Sequence, residues 1–272
     1  MQAIPILAYH SIADSDNARY AQWCVTPHRF HQHMSVLKQW NYRVFTVSQL
    51  VDWLVMGKPM PSRCVAISFD DGLQDFQDNA VPILSAFDYP ATLYVVAGLI
   101  GKSSRWLAPL GEGNRPILNA SELRALSATG IEIGGHSMTH PELDVLDRRT
   151  AFAEIRNCKH VLEDVLGEDV RSFAYPHGYA SDTTRQLAED AGYGSAVRVR
   201  HALSATGENA FGLSRLVMTE SLGKAELFSL LTGHGVPVAP PQNSLRSSLW
   251  RITRRLRALR GQPRPVCEVT AS

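Results

Sequence analysis

Residues 64–72 read CVAISFDDG, a buried, β-rich run that ends in two adjacent carboxylates and a glycine. Burying even one carboxylate is costly unless it is paired, hydrogen-bonded or on a metal, so a doublet at a strand's C-terminal end calls for a partner. In parallel α/β folds that edge is where ligands bind. Taken alone, DDG reads more simply as a solvated turn with Asp71-Gly72 at its corner, so the rest of the chain has to decide.

Outward from this strand, short apolar, β-branched runs alternate with stretches of helical period. The runs are Ile4 to Tyr9, Arg43 to Thr46, Cys64 to Phe69, Ala91 to Val96, Ile131 to Ile133, Val170 to Tyr175, Gly194 to Val199 and Leu213 to Met218. Eight such runs separated by helices make an α/β chain of repeated βα units, with a parallel sheet or barrel. Thr26-Pro27 reads as helix cap and first helical residue, with Phe30, Met34 and Leu37 on one face as far as Trp40. Further helices are expected over 121–129, closed by Gly130, through Phe152, Ile155, Leu162 and Leu166, closed by Gly167, and over 181–191, ending at Gly192. Residues 101–119, rich in Gly and Pro, read as a long loop of the kind compact domains keep for function. Residues 234–244 lack any period and read as a linker. The expected division is therefore a catalytic domain over 1–233 and a linker with a C-terminal tail over 234–272.

Composition narrows the function classes. The chain has 272 residues, 44% of them hydrophobic, enough for one large core or two modest ones. Its 27 Lys and Arg nearly balance 26 Asp and Glu, which argues against nucleic acid as a partner. The balance is uneven: between Leu227 and Cys267 there are seven arginines and no acidic residue, so this stretch carries +7 and, against a formal +1, the remainder carries −6. Cys24, Cys64, Cys158 and Cys267 form no CxxC pair, so a reducing compartment fits best. The opening MQAIPILAYHSI has no basic n-region or long apolar h-region, and no run is long enough to span a bilayer, so a cytoplasmic location is expected.

The partner for the aspartates comes at residues 134–140, GGHSMTH, again after a short strand. Histidines four apart converge on one ion if the segment makes a helical turn, and the glycines permit a sharp exit from the sheet. Ser137 follows the first histidine, so this is not the HExxH of zinc peptidases. The two strand ends together supply two imidazoles and a carboxylate, the ligand set of an open catalytic zinc site, and leave one carboxylate beside it as a base.

SFDDG, HSMTH and the later FAYPHG (Phe173 to Gly178) resemble, in this order, the motifs of the polysaccharide deacetylase family, also called the NodB homology or carbohydrate esterase 4 family. The resemblance covers about residues 1–232. It implies a distorted (β/α)7–8 barrel, TIM-like, and metal-dependent removal of acetyl groups from N-acetylated sugars. Carried over, Asp71, His136 and His140 would bind a divalent metal, usually Zn2+, and Asp70 would be the general base. Tyr175, Pro176 and His177 would wall the groove, with the His177 backbone N–H holding the oxyanion. Two departures stand out. Ala174 occupies a place where the family often has an arginine that orients the base, which makes Arg215 in LSRL the candidate substitute. The family's late leucine-histidine-aspartate motif, which supplies the acid, is absent, since no His-Asp pair occurs in the chain. Of His10, His177, His201 and His234, the candidate acid is His10, which ends the first strand. The opening YHxx also resembles the exopolysaccharide, or poly-N-acetylglucosamine, branch, whose histidine there is taken to be the acid.

The tail carries Leu245, Leu249, Ile252, Leu256 and Leu259 at helical spacing, with arginines on the other sides, which is a basic amphipathic helix over about 245–260. Two readings stay open. It lies on an anionic membrane surface, peripheral at the inner face, where lipid-linked glycans are found; or its apolar stripe packs on the barrel and the arginines are solvated. The expected activity is deacetylation of a polysaccharide or lipid-linked glycan, with Trp106 of the long loop as a candidate sugar-stacking wall. Two alternatives are a hydrolase of a small amide or ureide on the same metal site, and a glycan-binding protein with a relic site.

Overall fold

The computed structural model of the chain describes residues 3–55, 61–240 and 245–259. Eight parallel strands are present: β1 (Ile6–Tyr9), β2 (Arg43–Phe45), β3 (Cys64–Phe69), β4 (Thr92–Val95), β5 (Glu132–Gly135), β6 (Ser172–Ala174), β7 (Ser195–Val199) and β8 (Leu213–Val217). Each apolar run of the sequence became one of them: 64–69 kept its bounds, 131–133 moved on to 132–135, and the others were trimmed by a residue or two at their ends. Seven close a ring in the order β1, β8, β7, β6, β5, β4, β3 and back to β1. β2 stands outside the ring. It pairs with the first half of β3 (Arg43 with Cys64, Phe45 with Ala66), and β4 takes over that edge at Ser68 and Phe69. The barrel is thus a distorted (β/α)7–8 barrel with the eighth strand splayed at one end.

The strands read as continuous apolar runs because both of their faces are buried. Outward-facing Leu7, Val65, Ile67, Phe69, Leu93, Phe173 and Leu216 pack under the helices, against Phe30, Leu37, Leu84, Leu123, Ile155 and Leu162. Inward-facing Ile6, Ala66, Tyr94, Ala174, Val197 and Leu213 fill the barrel, and Phe45, Val47, Leu50 and Val51 belong to the same cluster. Each large aliphatic side chain so buried stabilises the fold by roughly 1.5–3 kcal/mol.

The helices are α1 (Pro27–Gln39), α2 (Val47–Val55), α3 (Val81–Phe87), α4 (Ala120–Ala128), α5 (Arg148–Leu166), α6 (Asp182–Asp190), α7 (Lys224–Leu231) and α8 (Leu245–Leu259). Their ends follow local chemistry. Thr26 accepts from the Arg29 N–H ahead of Pro27, Asn119 and Glu122 form a reciprocal cap on α4, and α5 stops at Gly167 with φ +73°.

Two expectations about the C-terminal region change. The start of the stretch read as a linker is tied to the barrel: Leu203 N–H donates to Pro237 O (3.0 Å) and Ala239 N–H to Leu203 O (2.9 Å). The tail forms a helix, and among its described side chains it is the arginines that tie α8 to the barrel. Arg254, 3% exposed, makes two bonds to Asp144 (2.7 and 2.6 Å), and Arg257 reaches Glu142 (2.6 Å). Ile252 and Leu256 are 52% and 49% exposed. The side chains of Leu245, Arg246, Leu249, Leu259 and Arg260 lie outside the described residues, as do residues 241–244 and 260–272.

Candidate active site

Strand alternation delivers three of the candidate residues to the barrel's mouth. In β3, Ala66 and Ser68 face inward, so the next inward position is Asp70. Counting from Ile6 along β1 brings His10 inside, and counting from Leu213 along β8 brings in Arg215. Arg215 is fully buried and grips Asp70 with both ends of its fork, Nη1 to Oδ1 and Nη2 to Oδ2 at 2.6 Å each, while Nη1 also donates to Ser68 Oγ (3.1 Å). His10 Nε2 stands 3.9 Å from Asp70 Oδ2.

Asp71 escapes the alternation because its backbone is left-handed (φ +79°), followed by Gly72 at +72°. The chain turns there, and Asp71 Oδ1 faces His136 Nε2 at 3.6 Å and His140 Nε2 at 3.4 Å. The two histidines do not share a helical turn, contrary to expectation. Ser137 (φ +65°) and His140 (φ +64°) are left-handed, and the turn is held by His140 N–H on Ser137 Oγ (2.9 Å) and by Glu154 of α5, which accepts from Met138 N–H and Thr139 N–H, both at 2.9 Å. Left-handed backbone at non-glycine residues costs about 1–3 kcal/mol each and concentrates at sites where the surroundings impose it. The glycines before His136 serve packing rather than a turn. They lie in β5, where a Cβ on Gly134 would sit 2.5 Å from Tyr94 Cδ1 and one on Gly135 2.3 Å from the Tyr193 hydroxyl oxygen.

The neighbouring aspartates sit in opposite fields. Burial, the largest single influence, would raise the Asp70 carboxyl, but the charge of Arg215, then that of His136, the Arg215 hydrogen bonds and the charge of His10 together outweigh it and hold the carboxyl well below the usual carboxylate range. Asp71 is pushed well above that range by burial and by the negative charges of Asp70 and Asp75. Burial also lowers His136, and it lowers His10 from 6.5 to about 4 against the pull of Asp70.

Asp71, His136 and His140 fit a cation. One donor atom from each lies within 4.8 Å of the others, and all three residues are buried. Asp71 Oδ1 is buried without a hydrogen-bond partner, a costly state that a positive ion at this point would relieve. His136 Nδ1 donates to Ala174 O (2.8 Å), which fixes the ring and leaves Nε2 facing Asp71. Two imidazole nitrogens and a carboxylate oxygen match a divalent metal of zinc-like preference.

The other candidates divide. The His177 ring meets His140 edge-on at 4.4 Å, and its backbone is left-handed (φ +60°). Trp106 stacks on His140 (4.9 Å, 25°). Tyr175 does not wall the groove with its side chain, a correction that alternation explains: Ala174 is the inward residue of β6, so Tyr175 turns outward with Phe173 into the core, its hydroxyl donating to Phe211 O (3.0 Å). Pro176 is buried beside it, and His201 and His234 are solvent-exposed. Sequence reading missed Trp23, whose ring packs on His10 (4.8 Å). It also missed Arg115, which pairs with Asp75, donates to Ser11 Oγ (2.6 Å) and lies over the Tyr20 ring (4.8 Å), fastening the 101–119 loop to the barrel. Contacts so distant in sequence leave no local pattern to read.

The family model for polysaccharide deacetylases matches residues 57–196, which include Asp70, Asp71, His136 and His140 but neither His10 nor Arg215. YxkH of Bacillus subtilis, a protein named for the same family, is 27% identical over 213 residues, 78% of this chain and 70% of its own length. The poly-beta-1,6-N-acetyl-D-glucosamine N-deacetylase of Staphylococcus epidermidis is 26% identical over 180 residues, 62% of this chain and 58% of that protein. Among solved structures, the Streptococcus pyogenes deacetylase PplD, determined in complex with acetate, shares the fold with a TM-score of 0.73 at 24% identity, over 84% of this chain and 98% of that one. With the motifs at the barrel's mouth and the family match spanning half of its length, the chain belongs to the polysaccharide deacetylase family.

Proposed function

We propose that the chain is a metal-dependent hydrolase, with zinc as its metal, that removes N-acetyl groups from N-acetylglucosamine residues of a polysaccharide and releases acetate. The observation that carries this reading is the division of labour between adjacent aspartates. Asp71 faces His136 and His140, while Asp70 is held ionised by Arg215. The substrate class is supported by family membership and by relatives named as poly-beta-1,6-N-acetyl-D-glucosamine deacetylases.

A divalent ion on Asp71, His136 and His140 supplies Lewis-acid polarisation of a carbonyl and of a water. The remaining steps fall to the protein. Asp70 takes the proton of the attacking water, and the Arg215 fork keeps its carboxylate plane fixed for that task. The backbone N–H of His177 stabilises the charge that develops on the acetyl oxygen. His10 protonates the leaving nitrogen. Burial keeps His10 neutral in the resting site. As negative charge builds up beside it, its affinity rises, and the proton that Asp70 took from the water passes to His10, whose Nε2 stands 3.9 Å from Asp70 Oδ2, and from there to the leaving nitrogen. Trp23 and Trp106, packed on His10 and His140, flank the opening where a sugar ring would enter.

Metal analysis paired with an acetate-release assay on N-acetylglucosamine oligomers tests the reading. Asp70→Asn should keep the metal and lose most acetate release, whereas His136→Ala should lose both. Full activity of Asp70→Asn would overturn the base assignment, and a metal-free, fully active protein would overturn the whole reading.

A further inference from the structure

A helix that packs on its own domain ordinarily buries its apolar stripe and leaves its arginines to water. In α8 the two are exchanged. Trp250, Arg254 and Arg257 share the side that faces the barrel: Trp250 Nε1 donates to the Tyr179 hydroxyl (3.3 Å), the Arg254 guanidinium lies 3.6 Å over the Tyr179 ring, and both arginines reach the acidic turn at Glu142 and Asp144. Ile252 and Leu256, on the opposite side, are exposed at 52% and 49%, and Trp250 keeps 42% of its surface in solvent beside its contact with Tyr179. Arg251 and Arg255 flank them and are exposed as well. The ion pairs thus fasten the helix with Ile252 and Leu256 turned away from the protein.

We propose that α8 is an interfacial helix that seats the chain on an anionic lipid bilayer, with Ile252 and Leu256 at the acyl boundary and Arg251 and Arg255 among the headgroups. Charge favours this occupant. The seven arginines between Leu227 and Cys267 are accompanied by no acidic residue, so the exposed side of the helix offers apolar carbon edged by positive charge alone. A second copy of α8 is a poor occupant, because apposed stripes would bring arginine rows against each other. No helix among the described residues is long and apolar enough to cross a membrane, and the association proposed for α8 is one that lies along the lipid surface. It also orients the molecule. α8 rests on the turn that follows His140 and on Tyr179, whose ring lies 6.0 Å from that of His177, so the lipid surface runs beside the rim of the candidate active site.

The test is co-sedimentation of the full chain with vesicles of phosphatidylcholine containing phosphatidylglycerol, against vesicles of phosphatidylcholine alone. The chain should pellet with the anionic vesicles and bind the neutral ones at least about tenfold more weakly, and raised salt should release it. The double variant Ile252→Asn/Leu256→Asn should bind anionic vesicles about tenfold more weakly. The double variant Arg251→Gln/Arg255→Gln should lose its preference for them. Both should keep the melting temperature and acetate release from a soluble oligomer. Equal binding to both vesicle types, binding to neither, or apolar variants that bind like the parent would overturn the proposal. Concentration-dependent dimerisation abolished by Ile252→Asn/Leu256→Asn, without vesicle binding, would assign the stripe to a second copy instead.

Discussion

Arg215→Met removes the guanidinium that grips Asp70 and keeps most of the side-chain volume. Arg215 is fully buried and Asp70 is 2% exposed, so the variant strands a buried carboxylate. Removing one partner of a buried pair costs about 3–5 kcal/mol, in keeping with about 4 kcal/mol for unit charges 4 Å apart at an effective dielectric of 20. Asp70→Asn strands the guanidinium instead, while the double variant strands neither charge. A double-mutant cycle, measured by urea unfolding near neutral pH, should therefore return a coupling of about 3 kcal/mol, because the double variant is much less damaged than the sum of the singles. Arg215→Lys keeps the charge without the fork and should give an intermediate loss. The sign of the pH effect follows from Asp70, whose folded carboxyl is held below its ordinary value. The pair's contribution is fully present above the unfolded carboxylate range and is lost as pH falls through the folded value. Without Arg215, burial dominates and raises the Asp70 carboxyl, so the acidic limb of acetate release should move to higher pH. Singles that add within about 0.5 kcal/mol, or an acidic limb that stays where it was, would refute the argument that Arg215 acts through Asp70.

Two further outcomes follow from the site's surroundings. His10→Ala should keep the metal and the fold and lower acetate release about 10²–10⁴-fold, as loss of a general acid does. Because burial lowers the His10 imidazole to about 4 from 6.5, the parent loses stability as pH falls between those values, and the variant should lose up to about 3 kcal/mol less over the same window in metal-free unfolding experiments. Gly135→Ala sets a Cβ 2.3 Å from the Tyr193 hydroxyl oxygen and should cost about 1–3 kcal/mol in urea unfolding. Adding Tyr193→Phe, which deletes that oxygen, should restore part of the loss, and no restoration would show that the strain lies elsewhere.

Much of this was legible in the chain because strands buried on both faces announce themselves as apolar runs. CVAISF became β3 without a change of boundary, and each of the other seven runs supplied a strand. Ligand-type residues at strand ends could be grouped, since a parallel barrel carries every strand's C-terminal end to one rim. What stayed hidden depended on side-chain direction. Tyr175 was assigned to the groove from its motif, yet alternation from inward Ala174 sends its ring into the outer core. The tail's spacing revealed an amphipathic helix but not which side faces the barrel, because Asp144 and Glu142, the residues that decide it, stand more than a hundred positions away. Trp23 and Arg115 were silent for the same reason: their roles come from partners on other loops.

The doublet DDG shows how one backbone angle separates two functions that sequence places side by side. Had Asp71 continued the strand, it would have pointed outward toward the layer that holds Phe69, where a carboxylate has no polar company. Its left-handed φ of +79° returns it to the mouth, in front of His136 and His140, while Asp70 stays in the register that Arg215 can reach from β8. Identical side chains one peptide apart then acquire opposite proton affinities, one lowered by a guanidinium and one raised by burial and neighbouring negative charge. A cation in front of Asp71 would reverse that rise and keep its carboxylate ionised as a ligand, beside a base that Arg215 keeps ionised without one. In this chain the separation requires both the strained residue after β3 and the arginine that arrives from β8, so neither the motif nor the barrel alone would have produced it.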